Sequence, residues 1–196
     1  MSAKSKTKLT VELVPKTCHF SNVRTTIKPK EWDKIRFISY EAAGHVCEIC
    51  SEVGKDQGFR HNLECHEIWE YDLESLTQIL VGLISLCPIC HQVKHIGRAM
   101  AMGREKDCFK QLAKVNDWTP AQIAEHIELA FIEYNERSQF KWDLDISILN
   151  EEPYSLNIPT IKKRVFEVKK YKKKRKRKIK KVANKRPPKK VVKKKK

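Results

Sequence analysis

Two Cys-x-x-Cys pairs, Cys47/Cys50 and Cys87/Cys90, constrain this chain more than any other feature. A Cys-x-x-Cys turn points two sulfurs at one ion. Two such turns close the tetrahedral thiolate shell that zinc favours. Residues 51–86 lie between the pairs. That is long for a single finger and natural for an inserted β-hairpin. The bland alternative, four unrelated buried cysteines, is disfavoured by the matched spacing. A redox dithiol is disfavoured by the second pair and by the lack of a βαβ pattern around either. Seven cysteines with four in metal spacing fit a reducing compartment better than a disulfide framework.

The pattern between and after the knuckles reads strand, turn, strand, helix. Leu63 to Tyr71 is rich in strand formers, Asp72 to Ser75 reads as a turn, and Thr77 to Leu86 as a second strand. Pro88 suits a helix start, and the spacing predicts one helix from His91 to Met102, ended by Gly103. Around this frame, Trp32, Ile35, Ile38 and Ala42 recur at helical spacing behind Pro29, with Gly44 as the C-terminal cap. A further helix is expected over Lys106 to Val115. Thr119-Pro120-Ala121-Gln122 is a capping box opening another. Leu9 to Val14 alternates as a short strand would, Ser51 to Asn62 reads as a loop, and Phe140 to Ile146 as an edge strand or packing arm. The expected fold class is therefore α+β.

His91 and His95 stand four apart on the expected helix, so both rings project from one face. His66, on the preceding strand, can complete a three-imidazole set beside the zinc knuckles. Three ligands leave open positions for water and a phosphate oxygen, as metal-assisted hydrolysis requires. Any one of these histidines alone reads as structural. The remaining candidates carry less. Cys18, Cys65 and Cys108 read as ordinary thiols, and His19 and His126 have no partner in sequence. His45 and His61 fit no ligand position, and Trp69 and Tyr71 read as core before base-stacking. Asp72 and Glu74 are paired acids without a second acidic cluster, which argues against a two-metal or glycosidase site.

The frame Cys47-x-x-Cys50, Leu63-Glu64-Cys65-His66-Glu67-Ile68, Leu83-Ile84-Ser85-Leu86-Cys87-x-x-Cys90-His91-x-x-x-His95 resembles the HNH endonucleases over about residues 44–97. The resemblance implies a ββα-metal core and a structural Zn2+ on Cys47, Cys50, Cys87 and Cys90. It also implies a second divalent metal (Mg2+, Mn2+, Ni2+ or Zn2+) on His66, His91 and His95. The catalytic set would be His66, Glu67 and His91, acting on nucleic acid, with DNA the first expectation. The motif departs from the family in two of its three letters. Glu67 stands where the base histidine belongs, and Gly82 where the orienting asparagine belongs. Glu67 can still serve as a base. A shifted register, with Cys65 as ligand and His66 as base, would put a thiolate on a hard ion, which is a poor match. The expected function is metal-dependent hydrolysis of DNA phosphodiester bonds. The alternative is a non-catalytic, zinc-containing nucleic-acid binder with a degenerate site.

Charge divides the chain sharply. Residues 162–196 hold 22 Lys and Arg against one acid, Glu167, which leaves 19 basic and 23 acidic groups on residues 1–161. The basic character belongs to the tail. Such a run cannot bury a core and reads as disordered, with phosphate backbones as its partner, a nuclear-import address as the rival, or simple solubilisation. The expected division is an N-terminal arm with a short strand over 1–28, an HNH-like zinc domain with flanking helices over 29–150, and a linker and Lys/Arg-rich tail over 151–196. The longest apolar run, Ile79 to Leu86, is too short to span a bilayer, and the first residues lack the apolar core of a signal peptide. No membrane partner is expected. The location is expected to be intracellular, either cytoplasmic and nucleoid-associated or nuclear.

Overall fold

The computed structural model describes residues 8–159, and these form an α+β unit. The sheet is built on the hairpin of β1 (Glu64–Asp72) and β2 (Thr77–Leu86). The two pair antiparallel from Glu64↔Leu86 to Asp72↔Thr77, with a bulge between Ile68 and Trp69. A third short strand, β3 (Asp143–Asp145), adds to β2 in parallel and gives the order β1-β2-β3. The alternating segment near Phe140 is thus an edge strand.

Six α-helices surround this sheet among the described residues: α1 (Val23–Thr26), α2 (Pro29–Ala42), α3 (Pro88–Lys94), α4 (Ile96–Ala101), α5 (Glu105–Asn116) and α6 (Pro120–Arg137). Local chemistry explains most of their ends. Proline opens α2, α3 and α6, where its missing N–H costs nothing. Thr119 and Gln122 cap α6 reciprocally. Gly44, at φ +60°, turns the chain out of α2 toward the first knuckle.

Two local expectations are corrected. Leu9 to Val14 forms no strand, because its polar groups are taken by side chains and helix ends rather than by a sheet. Asn116 Oδ1 accepts from the Lys8 and Leu9 amides, and Asn116 Nδ2 donates to the Leu9 carbonyl at 2.7 Å. His126 Nε2 accepts from the Val11 amide, and the Glu12 amide donates to the Lys94 carbonyl, both at 2.9 Å. The helix expected over His91 to Met102 breaks at His95 (φ −105°, ψ 42°) into α3 and α4. The short α1, which no sequence signal announced, is capped by Asn22, whose side chain accepts from the Thr25 amide.

Two apolar clusters hold the unit together. One gathers Leu9, Leu63, Leu86, Val93, Ile96, Leu112 and Ile127 around the cysteines; the other gathers Val23, Ile35, Leu80, Ile146 and Leu149. Residues before 29 contribute to both, through Leu9, Val11 and Val23, and residues after 150 to the second, through Tyr154 and Leu156. Trp69 packs on the second cluster, and Tyr71 lies edge-on to Trp142 under Arg137, so both serve the core. No helix of the described residues is long and apolar enough to cross a membrane. The expected disordered tail lies outside the described residues.

Candidate metal centres

The first centre forms where β2 runs into α3. Cys87 caps α3, and Cys90 sits in its first turn. Across from them, the Cys47–Cys50 turn closes through the Ser51 amide on the Cys47 carbonyl at 2.8 Å. Glu48 clips this turn to the sheet twice. Its amide donates to the Ser85 carbonyl, and its carboxylate accepts from the Ser85 amide. One sulfur from each of Cys47, Cys50, Cys87 and Cys90 lies within 4.8 Å of the others. Hydrogen bonds from Cys50, Cys87 and Cys90 hold the Cys47 thiol far below its ordinary value. Gln57 donates to Cys87 Sγ at 3.3 Å and Gln111 to Cys90 Sγ at 3.1 Å. Amide donors aimed at sulfur suit thiolate ligands. The four cysteines can bind a metal such as zinc, and the donor set fits that ion.

The loop between the first knuckle and β1 packs hard against this centre. A Cβ on Gly54 would stand 2.1 Å from the His61 carbonyl oxygen and 2.8 Å from Pro88 Cδ, so only glycine fits there. Gln57, which donates to Cys87, lies just beyond that close approach.

The second centre shares α3 with the first. One ring nitrogen from each of His66, His91 and His95 lies within 4.8 Å of the other two. The ring centroids stand 4.7–5.3 Å apart. His66 is the third residue of β1, His91 comes from α3, and His95 from the break before α4. His66 is 4 % exposed. Burial lowers the pKa of His66, and burial with its histidine neighbours lowers that of His95 to about 3. Neutral imidazoles are the ligand form.

Behind these rings stand carboxylates that the sequence did not single out. Glu12 Oε2 pairs with His66 Nε2 at 3.0 Å, and Glu12 Oε1 accepts from the buried Lys94 ammonium. Glu64 pairs with His91 Nδ1 through one oxygen and with His61 Nε2, at 2.8 Å, through the other. Burial opposes ionisation of both acids. Even so, His66 and Lys94 hold Glu12 at about 2, and His91 and His61 hold Glu64 at about 2. A carboxylate on one ring nitrogen fixes the tautomer and leaves the other nitrogen for an ion. Glu12 and His66 are 54 positions apart, and no sequence pattern links them. Glu64 could be found only through the strand-to-helix geometry that brings it to His91.

A cleft of about 440 Å3 opens beside the histidines and is also lined by Glu67, Arg24 and Arg98. Alternating residues of β1, Cys65 and Glu67 on one parity and His66 on the other, all reach it. That is possible because β1 is an edge strand. Glu67 is not idle there. Its Oε1 accepts from the Val23 amide, the first of α1, at 2.9 Å, and burial raises its pKa. Gly82 pairs with Ile68, and a Cβ there would meet only Ile68 Cδ1 at 3.8 Å, so a larger residue fits. Of the remaining candidates, Cys65 and His19 line the cleft, while His126 holds the arm together with Asn116.

No family model, curated protein or solved structure matches the chain.

Proposed function

We propose that the protein is a metal-dependent nuclease of the HNH kind, hydrolysing phosphodiester bonds of DNA. The observation that carries this reading is the convergence of His66, His91 and His95 on a strand–strand–helix unit that also holds two of the four clustered cysteines. In this reading the three imidazoles hold a divalent ion, and Glu12 and Glu64 keep His66 and His91 in the ligating tautomer. Three nitrogen ligands suit Mn2+, Ni2+ or Zn2+ better than Mg2+. Such an ion stabilises charge developing on the phosphate and the leaving oxygen. Glu67, in the same cleft, takes the proton of the attacking water. Arg24 and Arg98 flank the cleft and attract phosphate.

A second reading, a zinc-containing nucleic-acid binder without hydrolysis, has one observation in its favour. The carboxylate at the base position already accepts the first amide of α1, that of Val23. That double use shapes the test. Glu67→Ala would remove the base and the acceptor of the Val23 amide together. Glu67→Gln keeps an oxygen for the Val23 amide while removing the basicity. Plasmid nicking with Mg2+, Mn2+ or Ni2+ is expected in the intact chain and lost in both His91→Ala and Glu67→Gln. Cleavage that survives Glu67→Gln would move the base elsewhere. No cleavage by zinc-loaded protein that still binds DNA would leave the binding module.

A further inference from the structure

Two of the histidines, His91 and His95, border a second cavity that Glu67 does not line. It holds about 250 Å3 and is walled by Phe59, Pro88, Ala99 and Met102. His91, His95 and Arg98 line both this cavity and the cleft, so the two spaces meet at the histidine cluster. The walls are apolar and include one aromatic ring. The polar groups at the cavity are Gln92, Arg98 and Arg104 together with the Glu64–His61 pair. Among the described residues, neither arginine has a side-chain hydrogen bond or ion pair, and Arg98 is exposed. Met102 is 54 % exposed, unusually open for a large apolar side chain.

We propose that this cavity holds an unpaired nucleobase beside the phosphate bound at the histidines, so that the site favours single-stranded or locally opened nucleic acid. The occupant follows from chemistry that meets at one place. An apolar slot with an aromatic wall suits the face of a base, and every base has such a face. The Gln92 amide offers a donor and an acceptor to its edge. Arg98, at the junction, is placed for the phosphate that joins this nucleotide to the next, and Arg104 for the one beyond. A base in a duplex is stacked on both faces and cannot enter a walled cavity. It must be unstacked first or come from a single strand. This subsite rests on the phosphodiester reading above for its ligand and not for its readout.

The test uses the full chain with its methionines labelled at the methyl carbon. The chain has three, Met1, Met100 and Met102. Met100 is exposed like Met102 but does not line the cavity, so it serves as the internal control. A trithymidylate is titrated with no divalent ion added, and a hairpin duplex is titrated in parallel. The expected result is an upfield shift of the Met102 methyl with the trinucleotide alone, while Met100 stays in place. Phe59→Ala is expected to remove that shift and to weaken the trinucleotide roughly ten-fold, the scale of a lost stacking partner. Its unchanged Met100 signal and zinc content would show that it is folded. Arg98→Gln is expected to weaken binding while leaving the direction of the shift intact. A Met102 methyl that does not move while anisotropy shows the trinucleotide bound would overturn the proposal. So would an equal response to the duplex, or an unaltered response in folded Phe59→Ala. Because no cleavage is read, a responding Met102 in an inactive protein would sink the hydrolysis alone. A silent Met102 in an active protein would sink this subsite alone.

Discussion

Cys90 shows how much rests on single atoms here. Its sulfur is fully buried, faces Cys50 at 3.6 Å and receives the Gln111 amide. Cys90→Ser is expected to abolish bound zinc, measured by atomic emission. It should also unfold the domain at ambient temperature, seen as loss of near-ultraviolet dichroism, because about 10–16 kcal/mol of binding free energy in structural zinc sites is folding free energy. Glu67 illustrates the opposite case, a residue whose position was legible but whose use was not. Its place in the motif puts it at the base position. Only the fold reveals that the Val23 amide, 44 positions away, already uses its carboxylate.

At the scale of elements, the N-terminal arm matters most. Residues 8–14 pair with no strand, yet they deliver Glu12 to His66. Asn116 holds the arm with three hydrogen bonds. Asn116→Ala is expected to cost about 2–3 kcal/mol in urea unfolding and to expose the Leu9 amide to hydrogen exchange, since buried Leu9 groups lose their partners. His126 adds a pH dependence. Burial, with Lys94 nearby, lowers its pKa below the ordinary 6.5, against a smaller opposing effect of Glu133. The folded state therefore prefers the neutral ring that accepts the Val11 amide. Its contribution is complete above pH 6.5 and is lost as pH falls through the lower folded value. Thermal unfolding between pH 7.5 and 5 is expected to lose less stability in His126→Gln than in the parent. The helices behind Pro29 and Thr119 and both hairpin strands were legible because their signals are local: proline at the first position, a capping box, a run of strand formers. The break at His95 was not, since apolar spacing continues across it through Ile96 and Ala99.

Over the whole molecule, charge and fold divide the labour. The described unit sits in the mildly acidic part of the chain, while 22 basic residues follow position 161. Removing residues 162–196 is expected to weaken duplex binding at least about ten-fold near 0.1 M salt. The dependence of affinity on salt should also flatten, because fewer counterions are released. Zinc content should not change. Filter binding across a salt series checks the first two, and metal analysis the third. If affinity persists without the tail, the arginines around the histidine cleft carry it instead. The sequence by itself determined the two cysteine pairs, the hairpin between them and the i, i+4 histidines, because each is written in spacing along one strand or one helical turn. Only the tertiary structure decided that Glu12, Glu64 and Lys94 stand behind those histidines, that Glu67 accepts the first amide of α1, and that a second cavity opens beside the site. Each of these depends on contacts between segments far apart in the chain, and no local periodicity encodes them.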